Sequence, residues 1–273
     1  MLQTQYLIRS LSQEKSNKLK RLLDNKCSTW LFILPTNDNF FALSPDEFRD
    51  AVALRYQFTP KGLPSTCDGC SEDFDLCHAL NCKKGGLVIA RHNELRDLNC
   101  DLCSLAGLSQ IIPEPIVQES NEDDELEGLR ADWSVRGFWD SQRTALFDVC
   151  IFNADACSLR NQSLQNVFQM KKNAKKSKYC QAAEARRASF TPIIASCEAI
   201  FDNEAEVYMK RLATILSKKW DSSYSRVLCY IRARMQICII RSVSLCLRGS
   251  RTKWKGVGFV NHASIPINVL ELD

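Results

Sequence analysis

The sequence predicts a mixed α/β (α+β) fold, a small sheet flanked by helices, on three observations. The run Ala145-Leu146-Phe147-Asp148-Val149-Cys150-Ile151-Phe152 is almost continuously apolar, β-branched or aromatic. That is the pattern of a strand buried on both faces. A second extended segment, Phe190-Thr191-Pro192-Ile193-Ile194-Ala195, follows a long polar helical stretch. Later, Leu212, Ile215 and Leu216, then Leu228, Ile231, Met235 and Cys238, recur at helical spacing.

Taken in order, residues 1–60 read as a helical lead-in or linker. Residues 1–30 are polar and helix-prone, with one apolar cluster at Leu19, Leu22 and Leu23, and Trp30-Leu31-Phe32-Ile33-Leu34-Pro35 is a short extended apolar run. Ser44-Pro45-Asp46-Glu47 is a capping box with proline at the first helical position, opening a helix to about Tyr56. Residues 61–87 hold a dense Cys/His cluster. The segment 88–200 opens with a helix from Arg91 to about Leu108, broken before Pro113 and Pro115. A short strand at Ile116-Val117, an acidic loop over 119–128 and strands at about 131–139 and 145–152 follow. A helix at about 161–187 and a strand at 190–195 complete the segment. Helices at about 204–219 and 224–248 form a C-terminal pair within 201–252, and 253–273 is a tail of no clear period. From residue 91 the order is α-β-β-β-α-β, the common core of restriction-endonuclease-like folds.

Fourteen cysteines are many for 273 residues. The first ten residues lack the basic start and apolar core of a secretory signal. The most apolar late segment, Leu228 to Leu247, is interrupted by Arg232, Arg234 and Arg241, which argues against a membrane span. The expectation is a reducing compartment, nuclear or cytoplasmic, with the protein neither secreted nor membrane-bound. There, clustered cysteines suggest metal, and scattered ones such as Cys150, Cys157, Cys197, Cys229 and Cys246 read as core filler. The net charge of +4 is unevenly spread. An acidic stretch over 119–127 contrasts with Lys171, Lys172, Lys175, Lys176 and Lys178 and with further basic residues at Arg232, Arg234, Arg241, Arg248 and Arg251. A basic second half suits a polyanionic partner.

Cys67, Cys70, His78 and Cys82 supply three thiolates and an imidazole at spacings that a tetrahedral Zn²⁺ accepts. His78 and Cys82 lie one helical turn apart, and Asp68-Gly69 favours a tight turn between the first pair. A knuckle this small has almost no core, so the metal would supply its folding energy. Cys77 is a fifth candidate beside His78, and Cys100 with Cys103 could instead complete a four-cysteine ribbon with Cys67 and Cys70.

Asp148 is the second chemical signal. A carboxylate inside an apolar strand is costly unless paired, hydrogen-bonded or bound to a cation. Sixteen positions earlier stands Asp132, and two Asp residues on adjacent strands of a hairpin can share one Mg²⁺ or Mn²⁺. Alternatively, Asp148 ends its strand or pairs with Arg136 or Arg143.

These residues together resemble one family. The CCHC cluster is followed by Gly85-Gly86, by Arg91-His92-Asn93-Glu94, by Arg130-Ala131-Asp132 and by the strand with Phe147-Asp148-Val149. Glu47-Phe48-Arg49-Asp50, Gly137-Phe138-Trp139, Ser189-Phe190-Thr191-Pro192 and Cys246 through Arg251 extend the likeness from about Trp30 to Arg251. The chain is similar to the C-terminal region of non-LTR retrotransposon proteins that carry a zinc knuckle and a restriction-like endonuclease, as in retroelement-derived proteins of invertebrate animals.

The resemblance implies a PD-(D/E)XK nuclease that nicks DNA to leave a priming 3′ end. Asp132 and Asp148 would be its metal-binding carboxylates. Ala131 departs from the family's usual proline, and the connecting hairpin is slightly longer than usual. Cys150 occupies the place where the ordinary motif has lysine. Related nucleases carry that lysine on the next helix ahead of a Tyr, which points to Lys175, Lys176 or Lys178 before Tyr179, with Lys175 preferred. Glu94 is a candidate third carboxylate. Arg91, Lys171, Lys172, Lys176 and Lys178 would hold nucleic acid, DNA first and the element's RNA second.

The polymerase F/Y-x-Asp-Asp motif is missing, so a reverse transcriptase would be supplied elsewhere. Two rivals remain at this point: a nucleic-acid-binding module whose nuclease has decayed, and a zinc-stabilised protein-interaction domain.

Overall fold

In a computed structural model, residues 10–24, 26–37, 39–120 and 128–252 are described. Among them, seven α-helices flank a mixed four-stranded sheet and a separate two-stranded one. The helices are α1 (Gln13–Asp24), α2 (Pro45–Arg55), α3 (Leu76–Asn81), α4 (Leu87–Leu105), α5 (Leu164–Ala185), α6 (Asn203–Lys219) and α7 (Tyr224–Arg248). The strands are β1 (Ile112–Pro113), β2 (Ile116–Gln118), β3 (Leu129–Arg130), β4 (Trp133–Arg136), β5 (Thr144–Phe152) and β6 (Ser189–Ser196). Most of the acidic stretch and the tail expected at 253–273 lie outside the described residues.

Local chemistry sets the helix starts. Ser44 Oγ accepts from the Glu47 N–H at 3.2 Å while Glu47 returns the bond to the Ser44 N–H at 2.7 Å, the predicted capping box. Ser163 caps α5 through the Asn166 N–H, and Asp202 caps α6 through the N–H groups of Glu204 and Ala205. Gly86, left-handed at φ 74°, turns the chain directly into α4, so that helix begins at Leu87 rather than Arg91.

The main sheet has the order β1-β4-β5-β6. β4 is antiparallel to both β1 and β5, and β5 runs parallel to β6 through the α5 crossover. Pro192 is tolerated because β6 is an edge strand. The predicted element order is met by α4, β1, β4, β5, α5 and β6, with one change. Ile116-Val117 does not supply the first strand; it pairs with β3 in the small sheet, and Ile112-Pro113 takes its place beside β4. The hairpin strand is shorter than expected because Gly137, at φ 81°, turns the chain after Arg136. Trp30-Leu31-Phe32 forms a short 3-10 turn instead of an extended run, with the Trp30 N–H donating to Gln236 of α7 at 3.1 Å.

Strand periodicity assigns β5 two different duties. Ala145, Phe147 and Val149 enter the main core shared with α4, α6 and α7, where Trp133 stacks on Phe147 with ring centroids 4.9 Å apart. Leu146, Cys150 and Phe152 face the other way, into apolar clusters that α5 covers with Val167, Phe168, Tyr179 and Ala183. Asp148 shares that second face.

The main core ignores the segment boundaries read from sequence. It joins Cys67, Phe74, Leu80 and Cys82 of the Cys/His segment to Val243, Cys246 and Leu247 of α7 and to Phe147 of the sheet. The knuckle is therefore embedded in a larger core rather than nearly coreless. Of the cysteines read as core filler, Cys157 and Cys229 are instead exposed.

Candidate functional site

Asp148 sits midway along β5, paired in register with Pro192, and its side chain is only 5% exposed. Lys175 reaches it from α5, and its ammonium ion-pairs with Asp148 Oδ2. Burial pushes the Asp148 carboxyl above its ordinary range, and the charge of Asp132 adds to that rise; the charge of Lys175 opposes it. Neither Arg136 nor Arg143 is its partner: Arg143 donates to the carbonyls of Arg187 and Ala188.

Asp132 immediately precedes β4, before its regular pairing begins. Its N–H donates to the Phe147 carbonyl at 2.9 Å, and its Oδ2 accepts from the Val149 N–H at 2.5 Å. The carboxylate thus replaces a backbone acceptor and is held against the strand segment that carries Asp148. Tyr179, one turn after Lys175, donates to the Arg130 carbonyl at 2.9 Å and braces the approach to Asp132. Burial, followed by the two aspartates, raises the Tyr179 pKa, so its hydroxyl keeps its proton. Asp132, Asp148 and Lys175 are therefore brought together.

His92 is the residue that sequence reading left without a role. It projects from α4, and its Nε2 lies 2.9 Å from Asp132 Oδ1. The one signal available was its place in Arg91-His92-Asn93-Glu94, since the contact spans forty positions.

Other expected site residues fall elsewhere. Glu94 points toward α7, beside Arg234, Cys238 and Arg241, and not toward the aspartates. Arg91 cannot meet nucleic acid: it is 2% exposed and donates to the Leu80 carbonyl and to Cys197 Sγ, both at 3.2 Å. Lys176 is ion-paired to Glu204 at 2.6 Å. Lys171 and Lys172 are half-buried along α5, and Lys178 is exposed with its ammonium 5.4 Å from the Tyr179 ring centroid. The C-terminal arginines build the fold rather than a polyanion surface. Arg232 pairs with Glu206, Arg241 donates to the Ala42 carbonyl, Arg248 pairs with the buried Asp50, and Arg251 is itself buried.

The donor atoms of Cys67, Cys70, His78 and Cys82 all lie within 4.8 Å of one another, a group that could hold a metal ion and is compatible with Zn²⁺. Cys70 Sγ is 3.3 Å from His78 Nε2, and Cys82 Sγ is 4.0 Å from Cys67 Sγ. Asp75 starts α3 by accepting from the His78 N–H at 2.6 Å, which aims the imidazole at the thiols. Burial would raise the Cys67 thiol, but the N–H groups of Gly69 and Cys70 together with His78 outweigh it and lower its pKa to about 6. Cys77 lies outside the group and neighbours Cys157. The ribbon alternative fails. Cys103 is fully buried 3.4 Å from the Tyr208 hydroxyl, and burial pushes the thiols of Cys100 and Cys103 up to about 12.

Arg251 locks this cluster to the end of α7. Its guanidinium donates to the Ala79 and Cys246 carbonyls at 3.1 and 2.8 Å and lies 4.9 Å from the Phe74 ring centroid. Its N–H donates to Asp68 at 2.9 Å. A Cβ on Gly85 would come 2.5 Å from the Arg251 carbonyl oxygen, so only glycine fits beneath it.

No protein-family model matches the sequence, and a search of the curated proteins finds no match. Among the described residues, no helix is long and apolar enough to cross a membrane.

Proposed function

We propose that the chain is a metal-dependent DNA endonuclease of PD-(D/E)XK type, a restriction-endonuclease-like core derived from a retroelement protein. The observation that carries this reading is the convergence of Asp132, just before β4, with Asp148 of β5 and Lys175 of α5. Asp148 lies in an apolar strand, and Lys175 is the helix-borne lysine that the motif requires. Two carboxylates form an oxygen donor set suited to Mg²⁺ or Mn²⁺, and the Asp148 carboxyl, raised first by burial and then by the charge of Asp132, is one that a bound cation would keep ionised.

Asp132 and Asp148 would hold the cation, which when bound polarises the scissile phosphate and acidifies water. Lys175 offers its ammonium to the charge that develops on the phosphate oxygens. Tyr179 keeps its proton and fixes the backbone before Asp132. Lys171, Lys172 and Lys178 on α5 lie along the same helix and would attract the DNA backbone. Zn²⁺ at Cys67, Cys70, His78 and Cys82 would be structural, since Arg251 and the main core surround that group. The compartment this implies is nuclear or cytoplasmic.

A plasmid-nicking assay in Mg²⁺ or Mn²⁺ tests the reading. The parent should nick, and Asp132→Ala and Asp148→Ala should each abolish nicking. A folded, zinc-loaded parent that binds DNA and never nicks it would instead establish the decayed binding module. Failure to bind either DNA or RNA at low salt would leave the protein-interaction domain.

A further inference from the structure

We propose that His92 is a positioning residue for Asp132, an inference that rests on reading the two aspartates as a cation site. The placement begins with Arg91. Its buried guanidinium is pinned by the Leu80 carbonyl and Cys197, which fixes the rotation of α4 about its axis. The next residue, about 100° further round the helix, is thereby turned to the edge of the sheet. There His92 Nε2 meets Asp132 Oδ1 at 2.9 Å, with the imidazole 31% and the carboxylate 15% exposed.

A carboxylate oxygen accepts, so Nε2 carries the proton in this contact and has no lone pair to offer a cation. Val149 N–H occupies the other oxygen at 2.5 Å. Asp132 is thus gripped at both oxygens, its rotation about Cβ–Cγ is set, and each oxygen keeps a second lone pair for a ligand. Outer contacts of this kind typically change metal affinity about 10–100-fold when removed. His92 therefore acts through Asp132 and touches neither cation nor substrate.

The test is Mn²⁺ binding to the full zinc-loaded chain without DNA, followed by the electron paramagnetic resonance signal of free Mn²⁺. The parent should bind one Mn²⁺ that Asp132→Ala loses. His92→Ala should raise the half-saturating Mn²⁺ concentration by about tenfold or more. His92→Gln, which keeps an N–H donor near the Nε2 position, should recover most of the loss, and a general folding defect would not produce that rescue. Equal affinity in His92→Ala and the parent would overturn the inference while leaving the cation site intact. Nitrogen coupling to bound Mn²⁺ that disappears in His92→Ala would also overturn it, by making His92 a ligand. Identical Mn²⁺ binding by the parent and Asp132→Ala would remove the cation site and the role of His92 with it.

Discussion

The ammonium of Lys175 is ion-paired with Oδ2 of Asp148 across the contact between α5 and β5. Removing either partner leaves the other charge in a poor solvent. Lys175→Met should destabilise the chain by about 2–3 kcal/mol, less than a fully buried pair would lose because the lysine side chain is 27% exposed. The double variant Lys175→Met/Asp148→Asn should recover most of that loss, measured by urea unfolding. Lys175→Ala should also slow nicking by about 10²–10³-fold.

Glycine 85 and glycine 62 make a controlled comparison, since both have positive φ, near 70°. Gly62 has open space where a Cβ would go, whereas Gly85 lies beneath the Arg251 backbone. Gly62→Ala should cost about 1–2 kcal/mol, the strain of the left-handed conformation alone. Gly85→Ala should cost about 3 kcal/mol or more, because Arg251 must also move.

Metal removal should destabilise more than the knuckle. Cys67, Leu80 and Cys82 share an apolar cluster with α7, so a strong chelator should lower the melting temperature of the whole chain in one transition. Metal release measured with a thiol reagent should give one Zn²⁺ per chain. Cys70→Ser should lose it and Cys77→Ser should retain it.

Glu94 supplies a pH signature separate from the aspartates. Burial raises its pKa, Asp97 adds to the rise, and Arg241 opposes it. The folded state therefore holds this proton more tightly than the unfolded chain. That stabilisation is fully present below the unfolded glutamate range and is lost as pH rises through the higher folded pKa. The melting temperature of Glu94→Gln should gain on that of the parent as pH climbs from 4 to 7.

The legible parts of this fold were those with local causes. The Ser44 capping box, the helical periods of α6 and α7, and the apolar run of β5 are each written within a few consecutive residues. The four sulfur and nitrogen donors are close in sequence as well as in space. What escaped depends on distant partners. Two-residue β1 is too short to show a period and exists because β4 lies beside it. Charge misled in the same way: Arg91, Lys176 and Arg251 read as surface cations, yet their partners lie on other elements. His92 could be recognised only once α4 and the sheet edge were brought together.

Arg91 and His92 are consecutive on α4, yet one grips the carbonyl of Leu80 in the knuckle helix and the other grips Asp132. A single stiff helix thus fixes the offset between the sulfur cluster and the acidic pair, as a ruler fixes two marks. Whatever surface the knuckle presents cannot swing toward or away from the aspartates, and anything lying across both is measured off at one distance.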